Sequence, residues 1–298
     1  MIERLVSLGS VIVDLVLELP KLPERGGDVL AKQRAMAVGG AFNVLSAAAR
    51  LGLPGLYAGP HGTGPFGDLV RAELAREGIA ISQVPNPDLD TGWTIAMIEP
   101  DGERTFVTVT GADALVEPEA LRGIAYRDGD AIYVSGYDLA YPGAGAAIAE
   151  HVRRLRPELF VVFDPGPLVA DIAPERLDPV LERADLLSLN ERESRALGGI
   201  GRIRTRTVVL RQGGAGATIH RPGAAAIRVP AVEVPGTVDT SGAGDVHVGA
   251  NLAALAKGID LRDAVLMANR AAAYAVSKPG PASGPTEAQL EEFRAGRW

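Results

Sequence analysis

The chain has 298 residues, of which 47% are apolar and 22% charged, and its net charge is −7. This is globular composition, too apolar for a disordered chain and too acidic for a nucleic-acid-binding surface. There is no cysteine, which excludes disulfides, thiolate metal sites, iron–sulfur clusters and cysteine nucleophiles together.

Taken in chain order, residues 5–8 form a short continuous apolar run, the pattern of a strand buried on both faces. Residues 11–19 and 28–38 are strand-like with no helix between them. Residues 43–51 and 65–77 place apolar side chains at three- and four-residue spacings, which predicts helices. Residues 91–99 and 103–110 flank Asp101-Gly102, a hairpin turn. Four more apolar runs, at 131–134, 159–163, 186–189 and 208–210, alternate with helical stretches such as 143–155. That alternation predicts α/β architecture with a parallel sheet. Residues 218–220 and 225–229 read as a hairpin, and 242–256 and 261–277 as two long helices joined at Gly258. The strands within 11–38 and 91–110 do not fit the alternation. They predict a small separate sheet, either a lid over a site or a dimer surface. On it Val11, Val13, Ile95, Met97, Val107 and Val109 alternate as one apolar face should. No apolar run approaches the roughly 20 residues of a membrane span, and the N-terminus lacks a signal-peptide pattern, so a cytoplasmic protein is expected.

The strongest motif is Asp239-Thr240-Ser241-Gly242-Ala243-Gly244-Asp245, placed where a strand-like run gives way to a helix. Glycines there let backbone N–H groups converge on an anion, and the helix dipole favours negative charge. Asp245, in the first turn, could take a proton from a hydroxyl held over that anion hole. Base and anion stabiliser within one turn is what phosphoryl transfer to an alcohol requires. The same segment also fits a glycine-rich cap with Asp239 as turn residue and Asp245 as a dipole-compensating acid. No Gly-x-Gly-x-x-Gly follows the first strand, and no Walker lysine loop or protein-kinase motif occurs.

This motif resembles the C-terminal signature of the PfkB family of carbohydrate kinases, and two further segments agree. Gly39-Gly40-Ala41-Phe42-Asn43 is similar to the family's N-terminal Gly-Gly motif, with two residues rather than three before the Asn. Asn190-Glu191-Arg192-Glu193 matches its Asn-x-x-Glu motif. The resemblance covers nearly the whole chain and is strongest to the YegV-like branch of sugar kinases. It implies a ribokinase-like three-layer α/β/α sandwich, a single kinase domain with a small β-sheet lid, and ATP-dependent phosphorylation of a sugar hydroxyl. A nucleoside kinase of the same fold, or a non-catalytic regulator that binds sugar or nucleotide, is the alternative.

By the same resemblance Asp245 is the base, with Gly242, Ala243 and Gly244 forming the anion hole. Asp14, Gly39, Gly40 and Asn43 grip the acceptor, and Trp93 and Arg104 of the lid select it. Asn190, Gly213, Gly214, Gly216, Asn269 and Ala273 are assigned to the nucleotide. Arg211 stands where the family's strand usually ends Thr-Leu-Gly, and fits either phosphate contact or a surface ion pair. Glu193 is assigned to Mg²⁺ through water, and Asp239 and Thr240 to a monovalent cation such as K⁺. A homodimer joined through the lids is expected.

Overall fold

The computed structural model describes residues 1–296 apart from Pro235 and Ala282, and of Pro142 the backbone alone. The chain begins with β1 (Arg4–Ser7), β2 (Val11–Glu18), β3 (Gln33–Gly40), α1 (Ala41–Arg50), β4 (Gly55–Tyr57), α2 (Pro65–Arg76) and β5 (Ala80–Ile81). There follow β6 (Trp93–Ile98), β7 (Arg104–Val109), α3 (Pro118–Arg122), β8 (Asp130–Ser135), α4 (Gly136–Ala140), α5 (Pro142–Arg153) and β9 (Phe160–Asp164). The rest comprises α6 (Pro174–Arg183), β10 (Leu186–Asn190), α7 (Glu191–Ala196), β11 (Val208–Arg211), β12 (Ala217–His220), β13 (Ile227–Val229), α8 (Ala243–Ala256), α9 (Leu261–Val276) and α10 (Glu287–Arg294).

Nine strands form one sheet in the order β13-β12-β11-β10-β9-β8-β1-β4-β5. It is parallel from β11 to β5, and the predicted hairpin β12–β13 extends one edge antiparallel. Alternation sends Leu5, Ala131, Val162 and Leu186 to one face, against Val44 of α1, Leu252 of α8 and Val265 of α9. Val6, Ile132, Val161 and Leu187 go to the other, against Ile148 and Val152 of α5 and Val180 of α6. Each such Leu, Ile or Val side chain contributes about 1.5–3 kcal/mol by leaving water. Two cores on one sheet make the expected three layers.

The four strands that broke the alternation form the second sheet, β3-β2-β6-β7. One of them starts later than expected. β3 begins at Gln33, not Asp28, because its partner β2 ends at Glu18, which pairs with Gln33, before Pro20 removes a donor. The register puts Val13, Trp93 and Val109 side by side, then Leu15, Ile95 and Val107. This is the expected apolar face; α2 covers part of it, with Phe66 against Trp93 at 6.1 Å. Asp14, Thr94 and Thr108 line the opposite face.

Two buried acids hold the crossings between the sheets. Asp138, in α4, accepts from the Ser10 backbone N–H at 2.8 Å, just before β2. Asp113 accepts from Gly92 N–H at 2.5 Å and Gly111 N–H at 3.0 Å, which bracket β6 and β7. The small sheet is therefore anchored at its base to the carboxyl edge of the large one.

Candidate active site

Parallel strands place their last residues along one edge, where ligands of open α/β sheets collect. Here that edge carries Ser135 of β8 beside Asp164 of β9, and Asn190 of β10 beside Arg211 of β11. Arg211 Nη1 donates to Asp164 Oδ2 at 2.7 Å and to the Gly244 carbonyl at 3.2 Å. Its Nη2 lies 3.5 Å from Glu193 Oε2. Burial alone would lower the Arg211 pKa, but Asp164 and Glu193 more than reverse that and hold it charged. A fixed cation thus ties the sheet edge to the start of α8.

α8 starts from Gly242, whose φ of +69° places it in the left-handed region. A Cβ there would stand 2.2 Å from the Pro281 carbonyl oxygen, so the turn requires glycine. The cap has no side chain to offer; Ser241 N–H donates to Asp239 Oδ1 and Ala243 N–H to the Thr240 carbonyl, at 2.8 and 3.3 Å, so the N–H groups of Gly242 and Gly244 are the ones left for an anion. Asp245 lies in this first turn and accepts from Asn43 Nδ2 at 2.9 Å. Burial, then the nearby Asp164 charge, push the Asp245 carboxyl up to about 7, although Asn43 and Arg211 oppose the shift.

Asn43 sits in α1, which begins at Ala41 directly after Gly40, two residues earlier than expected. Gly40, at φ +65°, makes this abrupt change; a Cβ would come within 2.5 Å of the Ser10 carbonyl oxygen. Asn43 Oδ1 is buried without a partner among the described residues, so it remains an unused acceptor facing a polar site. Asp14, from β2, leans over Gly39, where a Cβ would lie 2.1 Å from its Oδ2. Burial raises the Asp14 carboxyl to about 6. Asp14, Asn43 and Asp245 come from three separate elements and act on one another: the Asp14 charge contributes to raising Asp245.

The sequence profile described as pfkB family carbohydrate kinase matches residues 2–288. The chain belongs to the pfkB family. It is an ATP-dependent carbohydrate kinase by that membership, as the motifs imply. It is 33% identical to the protein described as uncharacterized sugar kinase YegV of Escherichia coli, over 97% of this chain and 93% of that one. It is 28% identical to the ATP-dependent ribose-1-phosphate kinase of Halopiger xanaduensis, over 99% of each. Among solved structures, the Methanocaldococcus jannaschii nucleoside kinase, described as an archaeal member of the ribokinase family, superposes with a TM-score of 0.83 at 20% identity, covering 99% of both chains. That likeness shows the ribokinase fold.

Not every expected site residue of this pfkB chain stands where the motifs suggested. Trp93 lies on the face of its strand away from Asp14, packed on Phe66; the residue that shares the Asp14 face is Thr94. Arg104 is on the Asp14 face but reaches Asp239 and Thr240 rather than the acceptor residues, at 2.7 and 3.2 Å. Asn269 is spent internally: its Oδ1 is 3.1 Å from His247 Nε2, and its Nδ2 donates to the Pro230 carbonyl at 2.8 Å. Ala273 is buried in α9. Gly213 and Gly214 have open space where a Cβ would stand, whereas Gly216 makes room for the Val229 carbonyl.

Asn190 and Glu193 form a full capping box: Asn190 N–H donates to Glu193 Oε2 at 2.7 Å and Glu193 N–H to Asn190 Oδ1 at 2.9 Å. Burial and Asp164 raise the Glu193 carboxyl. Sequence reasoning missed Asp164, the partner of Arg211. Its signal was an acid ending a buried apolar run, before Pro165-Gly166. It also missed Asp138, whose carboxyl burial raises to about 7.

Proposed function

We propose that the chain transfers the γ-phosphoryl group of ATP to a hydroxyl of a small sugar, with Asp245 as the base. The observation that carries this is the Asp245 carboxylate, set in the uncapped first turn of α8 and poised near neutrality. Such a group takes the hydroxyl proton as the oxygen attacks phosphorus. The backbone N–H groups of Gly242 and Gly244 stabilise the charge that develops on the transferred group, already preorganised by the Gly242 turn and the Arg211 bond to Gly244. Asp14 accepts hydrogen bonds from the acceptor's hydroxyls, Gly40 lets it approach the backbone, and Asn43 orients both it and Asp245. The open Gly213–Gly214 turn and α9 flank the adenine, with Asn269 and Ala273 as its framework.

Mg²⁺ usually keeps several waters and takes few protein ligands. Asp164, Asn190 and Glu193, which end or follow neighbouring strands at the carboxyl edge of the sheet, would hold the ion through such waters. Bound with ATP, the ion would supply neutralisation of phosphate charge. The Asp239 carboxylate is engaged by protein donors, and the step above does not depend on a monovalent cation there.

The small sheet acts as a lid, its Asp14 face closing on the acceptor and limiting hydrolysis of ATP by water. Its outer face leaves Met36 59%, Val107 48% and Val109 40% exposed, and a second copy's lid would cover them. A strict monomer in light scattering at micromolar concentration would remove this homodimer. A kinase that consumes ATP works where ATP is abundant, in the cytoplasm.

A nucleoside acceptor is the second reading, favoured by Phe106. This ring is 58% exposed and stands on the Asp14 face, paired with Ala96, where a base could stack. ADP release measured across a panel of sugars and nucleosides decides: a sugar preference is expected, and a nucleoside preference would promote the second reading. ATP binding without turnover on any acceptor would break both.

A further inference from the structure

We propose that Arg104, carried by the small sheet, supplies at Asp239 the positive charge that the family resemblance assigns to a monovalent cation, so that this chain's phosphoryl transfer is independent of K⁺. Asp239 precedes the anion-hole turn by three residues, and its carboxylate is already engaged on both oxygens. Oδ1 accepts from Ser241 N–H at 2.8 Å and from Arg104 Nη2 at 2.7 Å. Oδ2 accepts from Gly280 N–H at 3.2 Å. A carboxylate offers about four lone-pair sites, and three are in use. Arg104 Nη1 also donates to Thr240 Oγ1 at 3.2 Å, so both residues assigned to the cation are bound by one guanidinium. A second cation placed against this pair would meet like-charge repulsion. The Asp239 carboxyl, which burial alone would raise, is held below its usual range by these donors and by Arg104. Lys278, next to the same turn, points its ammonium at the Tyr274 ring, 5.4 Å from its centroid, instead.

The source of the charge matters as much as its presence. Arg104 opens β7, opposite Ile98 at the far end of the hairpin from the crossings that Asp113 holds. When the small sheet lies against the body, the guanidinium neutralises Asp239 beside the turn that receives the phosphoryl group. When the sheet swings away, the charge leaves with it. A free ion would be present in either state. Arg104 is thus a positioning residue that makes the loop's electrostatics conditional on closure.

The test compares the intact protein with Arg104→Gln, which is shorter and keeps an amide donor but loses the charge, and with Arg104→Lys, which keeps the charge. Each is melted, and its ATP turnover followed on the best acceptor of the panel, in KCl and in tetramethylammonium chloride at equal ionic strength. The unaltered protein should melt and turn over equally in both salts. Arg104→Gln should lose about 10- to 100-fold in kcat without K⁺, the scale of one charged hydrogen bond. K⁺ should restore most of that and raise its melting temperature, while Arg104→Lys should remain indifferent to K⁺. The proposal is overturned if the unaltered protein needs K⁺ or is stabilised by it. It is equally overturned if Arg104→Gln is fully active without K⁺, or if K⁺ does not rescue it. A protein that turns over no acceptor breaks the kinase reading instead, and the melting comparison then decides this proposal alone.

Discussion

The two ends of the parallel sheet use the same kinds of residue to opposite effect. At the amino end Arg4 grips Asp130 with two bonds, Nε to Oδ1 at 2.8 Å and Nη2 to Oδ2 at 2.7 Å, and Arg127 N–H adds a third donor. Arg183 likewise pairs with Asp185, which also accepts from Val161 N–H. Each acid there meets a cation of its own. At the carboxyl end Asp164 and Glu193 share Arg211, and Asp245 lies within the influence of Arg211 and Asp164. Acid is in excess, so burial and mutual repulsion raise Asp245 and Glu193. The matched end stabilises the fold; the unmatched end costs stability and holds a carboxyl, Asp245, near neutrality.

Substitutions can break this contrast, and the largest effect is expected at Asp245. Asp245→Asn preserves shape but cannot accept a proton, so kcat should fall about 10²–10⁴-fold with acceptor KM little changed. The same variant should be more stable than the parent at pH 8, by about 1–3 kcal/mol, because it removes a charge that burial disfavours. Near-normal turnover, or a loss of stability, would contradict the assignment. At the other end Arg4→Ala strands Asp130, whose side chain is 1% exposed. Denaturant unfolding should show a loss of about 3 kcal/mol, the scale for breaking a buried pair, with kcat unchanged.

Asp14→Ala tests the acceptor side of the unmatched end. Sugar binding should weaken by about 1.5–3 kcal/mol, as for a lost hydrogen bond to a charged group. ATP affinity should hold. Calorimetry that finds both ligands weakened equally would point to damaged folding rather than to a lost grip.

What the sequence made legible follows from range. Strands buried on both faces are continuous apolar runs, so β8 to β11 could be read directly, and so could the contiguous turn from Asp239 to Asp245. β4 and β5, of three and two residues, are too short to show any period. Partnerships across the chain left no local mark: Arg211 and Asp164 are 47 positions apart, and Arg104 and Asp239 are 135 apart. Trp93 shows the sharpest limit. In a strand one position decides the face, and it put Thr94, not the tryptophan, beside Asp14.

The smallest expected effect, and the one that joins both halves of the contrast, is the pH profile. Asp245 must be ionised to act as base, and its carboxyl sits at about 7. In the free enzyme kcat/KM should therefore fall by about tenfold per pH unit below neutrality. Asp14, at about 6, should steepen the fall further down. Stability must run the other way. A carboxyl whose folded-state pKa is raised binds its proton more tightly folded than unfolded. Its contribution is full below the unfolded value and is lost as pH rises through the folded one. From about pH 4 to pH 7 the Asp245, Asp138 and Asp14 carboxyls should thus lower stability while activity rises, and Asp245→Asn should remove its own share of that slope. Melting temperature and kcat/KM, measured over one pH series, should move in opposite directions. A parallel rise of both would mean that the acids at the carboxyl end are as well matched as Asp130 at the other.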